Sequence, residues 1–157
     1  MGGNGSGRTE ALRKLDVLIG RWDTEPVVEG RSVGMSRAVF EWVDDGAFVR
    51  QTADADEPWD DPGWRENSPL PTLSIIGLDD SDGGFTVLYS DARDVFRVYR
   101  MTLEDRVWRQ WRAAPGFHQR FTAAISGDGT TISGMWEFSS DGETWRKDFD
   151  LIYRRSA

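Results

Sequence analysis

The sequence predicts an all-β protein: a ten-stranded antiparallel up-and-down β-barrel with a short N-terminal helix. Three observations carry this expectation. From residue 20 onward, runs rich in Val, Ile, Thr, Phe, Trp and Tyr recur with a period of two. Compact turn signals separate the runs: DDG at 44–46, SDGG at 81–84, ED at 104–105, GDG at 127–129 and SDG at 140–142. No connection has the length of a Greek-key crossover, so the strands follow one another as a meander. An open meander of that size would carry two long edges with unpaired N–H and C=O groups, and closure into a barrel removes them. A two-sheet sandwich is the competing arrangement for the same strand count.

The elements follow in order. Residues 1–8, rich in Gly, Asn and Ser, read as a disordered tail, and residues 9–157 as a single domain. Thr9 is placed to cap a helix on which Leu12, Leu15 and Ile19 recur at helical spacing, and Gly20 stops it. Strands are expected at 19–28, 34–43, 47–54, 72–78, 84–91, 94–103, 106–113, 118–126, 130–139 and 144–154. One segment breaks the rhythm. Residues 55–71, ADEPWDDPGWRENSPLP, hold four of the six prolines, five acidic residues and two Trp, in a loop longer than strand connections usually are. It reads either as a lid over a barrel mouth or as an insertion whose Trp59 and Trp64 pack on the rim.

Composition limits the function. The 157 residues are 38% hydrophobic, enough for one core, and eight Trp, eight Phe and three Tyr place much of that area in rings, which also line small-molecule pockets. A net charge of −8 opposes binding to nucleic-acid phosphates and to anionic membrane surfaces. With no Cys there are no disulfides, thiolate nucleophiles or Cys-bound metals. No run approaches the roughly 18 apolar residues of a membrane span, and the basic start of a signal peptide is missing, so a cytoplasmic protein is expected. MGGNGS fits the loose myristoylation pattern, but no polybasic second anchor accompanies it. Basic residues are almost all Arg, with Lys14 and Lys147 the exceptions, which suggests a high-GC bacterial source.

Most catalytic signatures are missing: there is no P-loop, no GxGxxG after a strand, no HExxH and no GxSxG. His118 is the single histidine, expected at the rim, and DxDxDG-type spacing is lacking, so neither a metal nor another cofactor is expected. Alternation groups Phe85, Val87, Tyr89 and Asp91 on one face, and Arg97, Tyr99 and Met101 on one face of the next strand. Val107, Arg109 and Trp111 oppose Trp108, Gln110 and Arg112; Gln119, Phe121, Ala123 and Ile125 share a face; Ile132, Gly134, Trp136 and Phe138 oppose Ser133, Met135 and Glu137. Rings mixed with a few charges suit a barrel with a ligand cavity better than one with a solid core. Asp91 and Arg97 are plausible cross-strand or diagonal partners, facing either the lumen or solvent.

The first strand reads LDVLIGRWDTE, in which Gly20 and Trp22 form a GxW pattern preceded by a short helix. Together with Phe40 and Trp42, YSDARDVFRVYRMTL, WRQWRAAPGFHQRF and SGMWEFSSDGETWRKDFDLIYRR, it resembles an uncharacterised bacterial family of calycin-like (lipocalin-like) barrels, similar in pattern to nitrobindins and fatty-acid-binding proteins, over about residues 12–155. The resemblance implies a ten-stranded barrel, open at one end, binding a small and largely apolar molecule. Nitrobindins ligate haem through a histidine in the last strand; here KDFDLIYRR has none, so haem is not implied. Fatty-acid-binding proteins close with a two-helix lid after the first strand, whereas the long loop here follows the third. Their inward Arg and Tyr imply a comparable part for Arg97 with Tyr99 or Arg109.

Two functions of different class are therefore expected, with monomer and homodimer both open. The first is a binding barrel for an aromatic or polyene-like molecule, its cavity lined by Trp22, Trp42, Tyr89, Tyr99, Trp111, Phe121 and Trp136, with Arg97, Asp91 and Gln119 orienting a polar end. The alternative is a cofactor-free cyclase, isomerase or dehydratase in the same cavity, with Asp91, Tyr99 or Glu137 moving a proton or holding a carbonyl. A barrel with a collapsed interior, serving as an interaction module, stands beside both.

Overall fold

The computed structural model describes residues 10–156; the expected tail at 1–8 and the Thr9 cap lie outside them. A short helix over residues 10–18, wound as 3-10 from Arg13 to Leu18, leads into eleven strands. These are β1 (Gly20–Val28), β2 (Arg31–Ser32), β3 (Ser36–Val43), β4 (Phe48–Asp54), β5 (Thr72–Leu78), β6 (Phe85–Asp91), β7 (Phe96–Glu104), β8 (Val107–Arg112), β9 (His118–Ile125), β10 (Thr131–Ser139) and β11 (Arg146–Arg155). Pairing is antiparallel throughout, and β1 pairs with β11 from Trp22↔Arg155 to Val27↔Asp150, which closes ten strands into a barrel. The two-residue β2 only extends a hairpin at the end of β1. A closed barrel replaces the sandwich, and each of the ten expected strands is present with ends shifted by at most two residues. No helix among the described residues is long and apolar enough to cross a membrane.

Closure makes the two ends unequal. At one end the N-terminal helix plugs the barrel with Leu15 and Leu18, fully buried against Trp22, Phe40, Val49, Ile76 and Ile132. The Trp22 indole donates Nε1–H to the Leu18 carbonyl at 2.9 Å, satisfying the polar edge of a buried ring. Arg155 lies over the same indole, 4.2 Å from its centroid, and donates to the carbonyls of Val17, Ile19 and Gly129 at 2.7–3.0 Å. Gly20 is required beside it: its φ is +129°, and a Cβ there would stand 2.6 Å from Arg155 Nη1. The GxW pair thus belongs to the blind end.

The other end is covered by the long loop. Asp61 caps a short helix α1 (Pro62–Glu66), accepting from the Trp64 N–H at 3.0 Å with Pro62 following the cap. Asp60 N–H donates to the Val33 carbonyl at 2.8 Å and Ala92 N–H to the Pro69 carbonyl at 3.1 Å, pinning the loop to the rim at two separate places. Trp59 is buried and donates Nε1–H to Ser68 Oγ at 2.8 Å.

Candidate functional site

Between plug and loop the barrel holds a partly open cavity of about 400 Å³. Its wall follows from alternation once closure has chosen the inner face. The inner residues at mid-barrel are Thr24, Ser36, Ala38, Gln51, Ser74, Tyr89, Tyr99, Gln110 and Phe121, with Trp108 and Tyr153 toward the blind end. Above them stand Arg93, Arg97, Phe117, Gln119, Asp148 and Phe149, and the loop contributes Trp59, Gly63, Trp64, Asn67, Pro69 and Leu70.

One side of the cavity is a continuous run of ring contacts. Trp108 meets Phe121 edge to face at 4.9 Å, Phe121 meets Trp136 at 4.9 Å, Trp136 meets Tyr99 at 5.8 Å, and Tyr99 meets Tyr89 at 6.1 Å. Such pairs add about 0.5–1.5 kcal/mol each beyond area burial. Gly134, on the inner face of β10, makes the run possible: a Cβ there would stand 2.5 Å from the Phe121 ring edge. The lid continues the pattern, with Trp59 against Trp64 at 5.2 Å and Trp64 against Phe149 at 5.0 Å, both edge to face.

Polar groups are set into these walls in small networks. Tyr99 Oη and Arg97 Nη1 both donate to Gln119 Oε1, at 2.9 and 3.1 Å. Arg97 also lies 5.3 Å from the Phe117 ring centroid, and it has no carboxylate partner among the described residues. Gln110 Oε1 accepts from Trp108 Nε1 at 3.2 Å. Thr24 and Ser36 share a short hydroxyl contact. No buried side-chain polar atom among the described residues lacks a partner, so the remaining amide donors of Gln110 and Gln119 are reachable from the cavity.

Asp91 stands on the inner face but is sealed. Tyr89 Oη donates to its Oδ2 at 2.8 Å, and Arg93 donates from Nη2 at 2.6 Å and from its backbone N–H at 2.9 Å. Burial pulls the carboxyl upward, but the bonds from Arg93 and Tyr89 outweigh it and hold it below its ordinary value. Burial, with the Asp91 carboxylate beside it, pushes the Tyr89 phenol far up, and burial also raises Tyr99 against the opposing pull of Arg97. Burial alone raises Asp148. The side chain itself is exposed at the mouth, so this upward pull comes from the protein mass around it and not from sealing.

No protein-family model matches the chain.

The expected site residues divide. Tyr89, Arg97, Tyr99, Gln119, Phe121 and Trp136 lie on the cavity wall. Trp22 and Trp42 do not: Trp22 is sealed in the blind end, and Trp42 donates to Asp16 Oδ1 of the plug at 3.2 Å. Trp111 and Arg109 face outward, because the pairing of Gln110 with Phe121 fixes Trp108 and Gln110 as the inner residues of β8. Glu137 also faces outward, held by Arg120 at 2.8 Å, since its neighbour Trp136 is the inner residue. Asp91 pairs with Arg93 rather than with Arg97, because the chain turns at residues 92–94 and Arg97 stands opposite Tyr89. His118 accepts at Nδ1 from the Ala114 N–H at 3.1 Å and packs on Gly142.

Trp108, Tyr153, Gln110, Arg93 and Asp148 were missed as wall residues, whereas the loop at 55–71, expected either as a lid or as a rim insertion, does line the cavity with Trp59 and Trp64. For Trp108 and Gln110 a signal existed: the apolar face of β9, Phe121 with Ala123 and Ile125, selects the face of β8 that must pair with it. For Asp148 there was none, because a register shift places it.

Proposed function

We propose that this protein is a calycin-like binding barrel that takes a small, largely apolar molecule, aromatic or polyene-like, into its internal cavity. One observation carries the reading: a cavity of about 400 Å³ lies behind a tryptophan-bearing loop, walled by a run of rings with amide donors left open toward it. That volume falls in the range of roughly 300–1,000 Å³ that holds small ligands. Arg97, Tyr99 and Gln119 form a preset polar cluster that orients one end of the molecule, while Trp136, Phe121 and Trp108 contact its body. The reading sits within a wider kinship with calycin-like barrels of bacterial, cytoplasmic type.

A proton-moving enzyme in the same cavity has less support. Asp91 has the neighbouring Tyr and Arg that such a role needs, yet its pKa is lowered; Asp148 is raised but has no such neighbour. Glu137 is outside.

The test uses the neutral apolar fluorophore N-phenyl-1-naphthylamine. Its emission should rise and shift to the blue with the wild-type protein, and Ala53→Trp, which fills the wall of the cavity, should abolish the effect while leaving the circular dichroism spectrum of the barrel unchanged. Equal enhancement by folded wild type and A53W would mean surface adsorption and would overturn the reading.

A further inference from the structure

The pairing of β10 with β11 shifts register between Trp136↔Phe149 and Glu137↔Lys147, leaving Asp148 as the extra residue of a β-bulge. Strict alternation would send one of two successive residues outward. Here both Asp148 and Phe149 reach the cavity. The Asp148 carboxylate has no hydrogen bond and no ion pair among the described residues, since Lys147 is taken by Asp150 at 2.6 Å, and Arg93 by Asp91. Around the same mouth, Phe149, Trp64 and Trp59 form a chain of edge-to-face contacts, and the exposed Asp148 carboxylate shares that lining with no counter-ion among the described residues.

We infer that Asp148, with Trp64 and Phe149, forms an ammonium subsite, and that the molecule held in the cavity is an amine whose apolar, ring-bearing body lies along the aromatic wall. The inference rests on the binding function proposed above and adds the class of ligand. An ammonium group supplies what the site lacks. It donates charged hydrogen bonds to the carboxylate and is attracted by ring faces. A metal ion fits poorly, because a single carboxylate stands there and no cluster of three or more His, Cys, Asp or Glu occurs among the described residues. Elsewhere on the same lining, Arg97 with Gln119 is left to receive an acceptor group of the same molecule.

Calorimetric titration with three probes that share a 2-(1-naphthyl)ethyl body tests this: the isosteric pair 2-(1-naphthyl)ethylamine and 2-(1-naphthyl)ethanol, and the anion 3-(1-naphthyl)propanoate. The amine should bind wild type about ten- to a hundredfold more tightly than the alcohol, the range of a charge-assisted contact. Asp148→Asn should bring the two together without weakening the alcohol. Asp128→Asn, which removes an equal charge from a distant turn, should leave the amine preference intact. An amine preference that survives in D148N, or that falls equally in D128N, would trace it to the overall negative charge and overturn the subsite. Equal binding of amine and alcohol to wild type, or tightest binding of the propanoate, would also overturn it while leaving the binding function standing. Failure of all three probes to bind would overturn both.

Discussion

Tyr99 and Gln119 meet across the cavity wall with the phenol oxygen 2.9 Å from the amide carbonyl, and Arg97 donates to that same carbonyl from the rim. The two strands that carry them, β7 and β9, are not neighbours; β8 lies between. A single acceptor therefore ties a buried hydroxyl to a half-buried cation across a strand.

Gln119→Leu keeps the side-chain volume close to that of Gln and removes the shared acceptor. It leaves the Tyr99 hydroxyl buried without its partner, which costs about 1–3 kcal/mol. Urea denaturation should show a lower midpoint at unchanged slope. Tyr99→Phe combined with Q119L should recover part of the loss, because the orphaned hydroxyl is then gone.

The two tryptophans of the lid have different duties. Trp59 is buried, and Trp59→Ala should cost on the order of 3 kcal/mol and loosen the loop, read as faster proteolytic cleavage within 55–71. Trp64 touches both Trp59 and Phe149 at the mouth and is less buried. Trp64→Ala should change stability by about 1 kcal/mol or less. Its effect should appear in affinity, with N-phenyl-1-naphthylamine bound about tenfold more weakly.

The tryptophans of β8 provide a direct check on which face is inside. Trp108 is 2% exposed and Trp111 is 39% exposed. Trp108→Ala should cost about 3–5 kcal/mol, as expected for emptying a core aromatic position. Trp111→Ser should stay within about 0.5–1 kcal/mol and leave probe binding unchanged. The reverse ranking would mean that the lumen faces the other way.

Acid should act through the turns. Hydrogen bonds from the Ser126 and Thr130 hydroxyls, with the Thr130 N–H, hold Asp128 at about 2 against an ordinary 3.8. At Asp141 the Thr144 and Glu143 N–H groups, with the Ser139 hydroxyl, do the same, again at about 2. A carboxyl depressed in the fold binds fewer protons there than in the unfolded chain. Its stabilisation is therefore complete above 3.8 and is lost as pH falls toward about 2. The melting temperature of D128N should lie below that of wild type at pH 6, and the gap should close by about pH 2. A gap that stays constant with pH would show that the charge of Asp128 contributes nothing.

Much of the fold was legible because its signals are local. Period-two alternation and Asp/Gly turns are properties of a few consecutive residues, and ten strands without a crossover leave closure as the economical way to pair both edges. The contents of each strand face were equally legible: Phe85 through Asp91, Arg97 with Tyr99, and Gln119 with Phe121 sort as the structure has them. What alternation cannot supply is the sign of the face on a strand that carries rings on both sides. On β8, Trp108 and Trp111 differ only in which of them the register with β9 turns inward, and on β10, Trp136 and Glu137 occupy opposite faces by necessity.

The sequence by itself determined the antiparallel meander, its turns and the aromatic character of whatever lies inside, since each depends on neighbours along the chain. Only the tertiary structure decided the rest. Closure of β1 on β11 made one end blind, claiming Trp22 and Trp42 for the plug and leaving Tyr99 and Trp136 for the cavity. The turn at residues 92–94 gave Asp91 to Arg93 and freed Arg97 for Gln119. A one-residue register shift aimed Asp148 at the mouth, and that shift exists only in the pairing of two strands, so no single stretch of sequence could announce it.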